Sequence, residues 1–395
     1  MSALKYWIWL SSADVSIRTR WTLIDHYQDA EAAFKAPDGE FERLGIKGKE
    51  LVELEKRDLH KAAQIETVCI AKEISVISYD DPRYPVRLKN ISCPPVALYV
   101  KGTLPDIDAN AAIAVIGTRQ ASVYGLSMAK RMAYELCDCG AMLVSLVYGP
   151  IDEAALKGAL LCDGSCVGVM ATSLDEDSRR LDDLAARGAV ISEIAPGTES
   201  RKQHFKDRNR IAAGLSVGVL VIEAPEKSGT RLFCLEAAEQ GKEVFALPGN
   251  ADSENSAGTL ALIKEGAKLV TRGCEVAEEF IALYPNKLKI KKSQDMPQEL
   301  KAEEKAEQKP FEAAVSVDKP KGKGYIDLKE QLSSLSEDQL KIITSIEAPS
   351  SHIDDIIEAS GFSAAKVLSQ LTMLEIRGFV RREPGRRFSV NTAKK

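Results

Sequence analysis

Between Ala111 and about residue 285 the sequence alternates short apolar runs with helical patterns, and no other property narrows the possible fold as much. The pattern predicts strands at 112–117, 141–147, 165–171, 189–194, 217–224, 243–248 and 268–271. It predicts helices at 122–138, 152–162, 176–187, 208–215, 230–240, 258–265 and 274–284. Several strands, such as Ile113-Ala-Val-Ile116 and Val219-Leu-Val-Ile222, are unbroken apolar runs. A strand with no polar alternation has no face to offer water, so it belongs in a sheet covered on both sides. Crossovers of helix length set successive strands parallel. The expectation is an α/β, Rossmann-like, doubly wound and mostly parallel sheet, with ligands outside the carboxyl ends of its strands.

The flanks differ in kind. Residues 1–70 carry helical patterns and form a helical module. Its Leu44-Gly45-Ile46-Lys47-Gly48 segment suits either a helix-hairpin-helix turn or an ordinary helix–helix connection. Residues 74–105 are extended and turn-rich, with Asp81-Pro-Arg-Tyr-Pro85, Cys93-Pro-Pro95 and a strand ending at Gly102. Proline holds itself and its predecessor in extended or turn geometry. This stretch is assigned to a domain spanning 71–285. Residues 286–330 are rich in Lys, Glu, Gln and Pro without apolar period, as in a disordered linker. Residues 331–395 predict helices at 335–346, 351–360 and 363–377, then a hairpin through Pro384-Gly385, which together make a winged helix.

Charge alone misleads. The chain has 53 basic and 58 acidic residues and a net charge of −5, which argues against a broad basic surface for nucleic acid. Yet residues 201–210 hold five basic residues and one acid, inside a region, 111–285, with 18 basic and 24 acidic residues. No run approaches the roughly 20 apolar residues of a membrane helix. Segment 1–12 lacks the long apolar stretch of a leader and reads as a first amphipathic helix, so a cytoplasmic protein without membrane contact is expected. The eight cysteines include close pairs, Cys137/Cys139 and Cys162/Cys166, but no second pair at zinc-site spacing. Free buried thiols are expected, and no metal or cofactor.

Three segments carry chemistry suited to an anion. Gly117-Thr118-Arg119 follows the first parallel strand and precedes a helix. There backbone amides and one guanidinium meet a phosphate well, although the turn lacks a dinucleotide fingerprint. Arg201-Lys-Gln-His-Phe205-Lys206-Asp-Arg208-Asn209-Arg210 reads as a basic loop running into a helix that opens at Arg208. Cations for phosphate and Phe205 for a base are the combination that single-stranded nucleic acid favours. Lys227-Ser228-Gly229 follows the central strand with small residues beside a cation, and Glu223 stands at that strand's end. Leu247-Pro-Gly249-Asn250 and Gly258 complete the same edge. Of four histidines only His204 is near, and no hydrolase or metalloprotease motif occurs. Binding is therefore expected rather than catalysis.

These residues resemble the DNA-processing protein DprA (Smf) family. The resemblance rests on Ala114-Val-Ile-Gly-Thr-Arg119-Gln-Ala-Ser-Val-Tyr-Gly125, Phe205-Lys-Asp-Arg-Asn-Arg210-Ile-Ala-Ala-Gly214, Lys227-Ser-Gly229, Gln240-Gly-Lys-Glu-Val-Phe-Ala-Leu-Pro-Gly249 and Ile263-Lys-Glu-Gly-Ala267. Upstream, Tyr84-Pro85 and Pro94-Pro-Val-Ala-Leu-Tyr-Val-Lys-Gly102 fit too. The resemblance implies a protein that binds single-stranded DNA, dimerises, protects incoming DNA and delivers it to the recombinase RecA in natural transformation. It places Arg119, Lys206, Arg208, Asn209, Arg210 and Lys227-Ser228-Gly229 toward DNA. The family run Ser-Gly-x-Ala-x-Gly-Ile-Asp-x-x-Ala-His reads here Ser145-Leu-Val-Tyr-Gly149-Pro-Ile-Asp152-Glu-Ala-Ala-Leu156. Leu146 stands for the first glycine and Leu156 for the histidine, and bulky Leu146 and Val147 reduce the room for backbone to approach a ligand. Two alternatives remain open. One is a nucleotide-processing enzyme of related fold. The other is a duplex-DNA regulator using Arg377, Arg381, Arg382, Arg386 and Arg387 around the wing.

Overall fold

The computed structural model describes residues 3–176, 179–290, 335–346, 350–376, 379–383 and 387–390. They fall into two compact units, Met1–Pro310 and Phe311–Lys395.

In the first unit, nine strands form one sheet: β1 (Ile74–Ser78), β2 (Ala97–Gly102), β3 (Ala112–Ile116), β4 (Met142–Ser145), β5 (Cys166–Met170), β6 (Gly188–Ser192), β7 (Gly218–Val221), β8 (Glu243–Ala246) and β9 (Lys268–Leu269). Their order is β1-β2-β6-β5-β4-β3-β7-β8-β9. From β6 to β9 every pair is parallel. The 74–105 stretch, expected to be extended with a strand ending at Gly102, supplies that strand as β2 and adds β1, the two forming an antiparallel edge on β6. The chain winds outward from β3 to β6 and then returns to β7 on the other side of β3. The switch point therefore lies between β3 and β7, where an open α/β sheet leaves a crevice at its carboxyl edge.

Both faces are covered, as the apolar runs require. Ile113 and Val115 face one hydrophobic cluster, while Ala112, Ala114 and Ile116 of the same strand face the other. The first cluster takes in α1 (Leu4–Ser12), α2 (Ile17–Tyr27), α3 (Ala30–Phe34), α4 (Glu40–Arg43), α5 (Gly48–Glu55) and α6 (Leu59–Ala71). The short α7 (Val86–Lys89) contributes Leu88 to the second. Helices α8 (Val123–Asp138) and α9 (Pro150–Leu160) lie on the first face. Then come α10 (Arg179–Ala185), α11 (Lys202–Leu215) and α12 (Gly229–Glu239), the last two on the second face. Helices α13 (Glu254–Lys264) and α14 (Gly273–Glu278) complete the unit.

Helix α1 departs from expectation. Tyr6 to Ser11 are all buried, so it is a core helix surrounded on every side rather than an amphipathic one. It joins the sheet through a Ser11–Tyr99 hydroxyl bond of 2.8 Å. The turn between α4 and α5 uses left-handed Gly45 and Gly48, with Ile46 buried between them. Residues 286–290 belong with the sheet: Leu288 is buried, and the Lys289 amide donates to the Cys139 carbonyl. The remainder of the expected linker, 291–330, lies outside the described residues. All eight cysteines are free, six of them buried. Burial pushes the thiols of Cys69, Cys166 and Cys234 up to about 12.

The second unit has helices Glu337–Thr344, Ile353–Ser360 and Ala364–Ile376 around a core including Ile342, Ile356, Val367, Leu371 and Phe388. Ser336 caps the first helix reciprocally with Gln339. The expected hairpin is present as β11 (Val380–Glu383) and β12 (Arg387–Val390). A third strand, β10 (Ser351–His352), pairs with β12, because residues expected to begin the second helix are extended. Arg377, Arg386 and the side chain of Arg382 lie outside what is described. Arg381 is exposed, and Arg387 donates to the Ser350 carbonyl at 2.7 Å. No helix among the described residues is long and apolar enough to cross a membrane.

Candidate nucleic-acid interface

The end of β3 is fixed by packing and then by one buried carboxylate. A Cβ on Gly117 would stand 2.7 Å from the Ile151 side chain, so glycine is what lets β3 end against α9. The Thr118 amide donates to the Glu223 carbonyl at 2.8 Å, which ties the end of β3 to the end of β7 across the switch point. Glu223 is buried. Its two oxygens accept from the Ser122 hydroxyl at 2.5 Å and the Ser122 amide at 2.9 Å. Ser122 in turn caps α8. Asn255 closes the group by donating to the Gln120 carbonyl at 2.8 Å. The strand-end acid is thus a brace between loops, and the loop it braces presents Arg119 to solvent.

The β4–α9 loop supplies a second layer. Val147 adopts a left-handed backbone with φ of +52°, a strained conformation for a β-branched residue that its surroundings must enforce. Its neighbours show how. The Val147 amide donates to the Ser145 hydroxyl, and the Tyr148 and Gly149 amides donate to Asp152. Arg208 donates to the Leu146 carbonyl at 3.1 Å. Asp152 and Arg208 are both buried, and burial is the chief influence on each. It raises the Asp152 carboxyl above its ordinary value and lowers the Arg208 guanidinium below its own. Leu146 is half-buried against the second-face cluster and Leu156 is buried within α9, so both bulky departures are absorbed by packing.

The basic segment is not a loop. Residues 202–207 are the first turns of α11, which begins six residues earlier than expected, with the Arg201 amide donating to the His204 ring. A helix turns its side chains by about 100° per residue, so the five cations cannot share one face. Arg210 points inward and donates to Glu193 at 2.5 Å, deep in the unit, with Arg20 of α2 3.9 Å from the same carboxylate. Arg201 pairs with Asp14 at 2.7 Å. Arg208 is buried as described. Lys202 and Lys206 stay exposed, without a salt bridge among the described residues. Asn209 is half-buried and accepts from Arg208 at 3.0 Å. Phe205 is half-buried.

Lys227 and Gly229 are exposed after β7. The Ser228 hydroxyl, at the start of α12, has no hydrogen-bond partner. The structure therefore brings Arg119, Phe205 and Arg208 together around a residue outside the cationic segments, Tyr148, with Gly117 and Thr118 forming the turn that leads to Arg119. It places Lys227-Ser228-Gly229 at the end of the strand next to β3, and it sets Arg210 apart. Tyr148 is 47 % exposed. Its ring meets Phe205 edge to face at 4.9 Å, with the Arg119 and Arg208 guanidinium groups 5.9 and 5.8 Å from its centre. The alternation of aromatic rings with cations was the available signal, but residues 148 and 205 are too far apart in sequence to be read as one cluster.

The model of the family described as DNA recombination-mediator protein A matches residues 75–281. The chain belongs to the DprA family. A second model, the DprA winged helix domain, matches residues 328–386. The DNA processing protein DprA of Bacillus subtilis is 34 % identical over 211 residues, 52 % of this chain and 71 % of that protein. Protein Smf of Synechocystis is 28 % identical over 97 % of this chain and 98 % of its own length. Among solved structures, that of DNA processing protein A (DprA) from Streptococcus pneumoniae is similar. Its TM-score is 0.59 and its identity 32 %, over 69 % of this chain and 95 % of that one. DprA membership accords with the mostly parallel sheet and the winged helix.

Proposed function

We propose that this DprA chain binds single-stranded DNA along the carboxyl edge of its sheet. It acts as a non-enzymatic, cytoplasmic recombination mediator that protects incoming DNA and loads RecA in natural transformation. The observation that carries the reading is the Tyr148–Phe205 ring pair with exposed Arg119 against it at the carboxyl edge of the sheet. Exposed Lys206 follows Phe205 in α11 and exposed Lys227 follows β7, and none of the three cations has a salt bridge among the described residues. Cations track a phosphate backbone and rings accept unpaired bases, a combination that duplex DNA, with its bases stacked inside, cannot use fully. The names of the curated relatives, DNA processing proteins, support the same direction. Glu223, the acid at the end of β7, is engaged through both oxygens in bracing loops, which agrees with a structural part for it in a binding protein. The duplex-regulator alternative gains little from the third helix of the second unit. Its one cation, Lys366, pairs with Asp338 at 2.7 Å, and Leu368 and Met373 are its exposed large side chains.

Fluorescence anisotropy with single-stranded and duplex oligonucleotides at two salt concentrations tests the reading. Tighter binding of the single strand, weakening steeply with salt, is expected; equal binding of both forms overturns it. For the finer claims, a shortened lag in RecA filament assembly on single-stranded DNA and a homodimer mass by light scattering are expected.

A further inference from the structure

The phosphate-facing cations explain affinity for a strand but not what holds a base. Tyr148 is nearly half exposed, yet it is fixed from several sides. Its amide is tied to Asp152 at 3.3 Å, its ring edge-on to Phe205, and its hydroxyl lies 3.4 Å from Arg119. An exposed ring held this firmly has already lost the freedom that binding would otherwise cost it. The 63° angle between the two rings leaves no slot for a base between them, so a base would meet the exposed part of the Tyr148 ring, with Phe205 as its support. The two arginines differ in what they can do next. Arg208 is buried and bonded to the Leu146 carbonyl, so it stays beside the ring. Arg119 is exposed, and its contact with the phenol is long, so it can leave the ring for a phosphate.

We propose that Tyr148 is a base-stacking residue of the strand-binding edge, working with Phe205 and releasing Arg119 to the neighbouring phosphate. The proposal rests on the single-stranded-DNA reading above and goes further, assigning the base contact to a residue outside the cationic segments.

The test compares the full-length wild type, Y148A and Y148F by anisotropy on oligothymidine and on an abasic strand of equal length, which keeps every phosphate and removes every base. Wild type is expected to bind oligothymidine more tightly than the abasic strand. Y148A should lose roughly 5- to 100-fold on oligothymidine, in the range of one aromatic–base stack, and leave the abasic affinity and the salt slope unchanged. Y148F should behave as wild type, since the stacking face is retained. Equal losses on both strands would make Tyr148 a support for the arginines and overturn the proposal. So would a Y148F defect as large as that of Y148A, which would assign the effect to the hydroxyl. If the wild type binds neither strand, it is the underlying reading that fails.

Discussion

Helix α11 carries cations of two kinds, and the contrast between its inner and outer sides bears directly on function. Arg208 and Arg210 are buried. One bonds the β4–α9 loop, and the other completes an ion pair with Glu193. Lys202 and Lys206, a few residues away, have no salt bridge among the described residues and face water. In the low-polarity interior a guanidinium holds several acceptors in fixed geometry, which an ammonium cannot do. The two buried arginines are held by acceptors inside the unit, whereas the lysines, Arg119 and Lys227 are exposed, and under the function proposed above these exposed cations are the ones a DNA strand would meet first. A cluster of positive charge in sequence overstates the charge a surface offers whenever the segment is helical.

Substitutions separate the two kinds of cation. The largest effect is expected from R210M, which leaves Glu193 buried with only the more distant Arg20. About 3–5 kcal/mol of stability should be lost, read as a fall in the urea midpoint, while the folded fraction still binds DNA. The triple variant R119E/K206E/K227E should show the reverse. Its stability is unchanged and its affinity for single strands collapses, with the slope of log K against log salt shallower by about 2.

A smaller effect comes from D152N. The Asp152 carboxyl is raised by burial, so its contribution to stability is complete below its ordinary value of 3.8 and is lost as pH rises through the raised folded value. Thermal melts from acid to neutral pH should therefore decline less in D152N than in wild type. The smallest effect is expected from D14N, which removes the exposed partner of Arg201. The Arg201 hydrogen bond lowers the Asp14 carboxyl, so the stabilisation is present above 3.8 and disappears as pH falls through the lowered value. Solvent screening keeps it below about 1 kcal/mol at neutral pH.

The sheet was legible because burial on both faces leaves an unmistakable trace, unbroken apolar runs such as Val219-Leu-Val-Ile222. Strand ends were less so: β4 stops at Ser145 rather than 147, because Val147 turns into a left-handed conformation that its residue type gives no reason to expect. Prolines marked 81–95 as irregular but said nothing of β1 and β2 joining the sheet through β6, a pairing over long sequence separation. In the second unit, Ser351-His352 read as helical, but pairing with Phe388 and Arg387 makes it a strand. At the candidate interface, Arg119 and Lys227 were visible from their positions after strands. Tyr148 was not, because its significance arises only when α11 brings Phe205 and Arg208 beside it.

The claim that exposure rather than sequence count decides which cations meet the strand is tested most directly by the salt dependence of single-strand binding. The comparison is between wild type, R119A and R208M. Loss of one phosphate contact lowers the slope by about 0.7 on a single strand. R119A should show that decrease, and R208M should leave the slope as in wild type whatever it does to absolute affinity. A slope lowered equally by R208M and R119A would contradict the account.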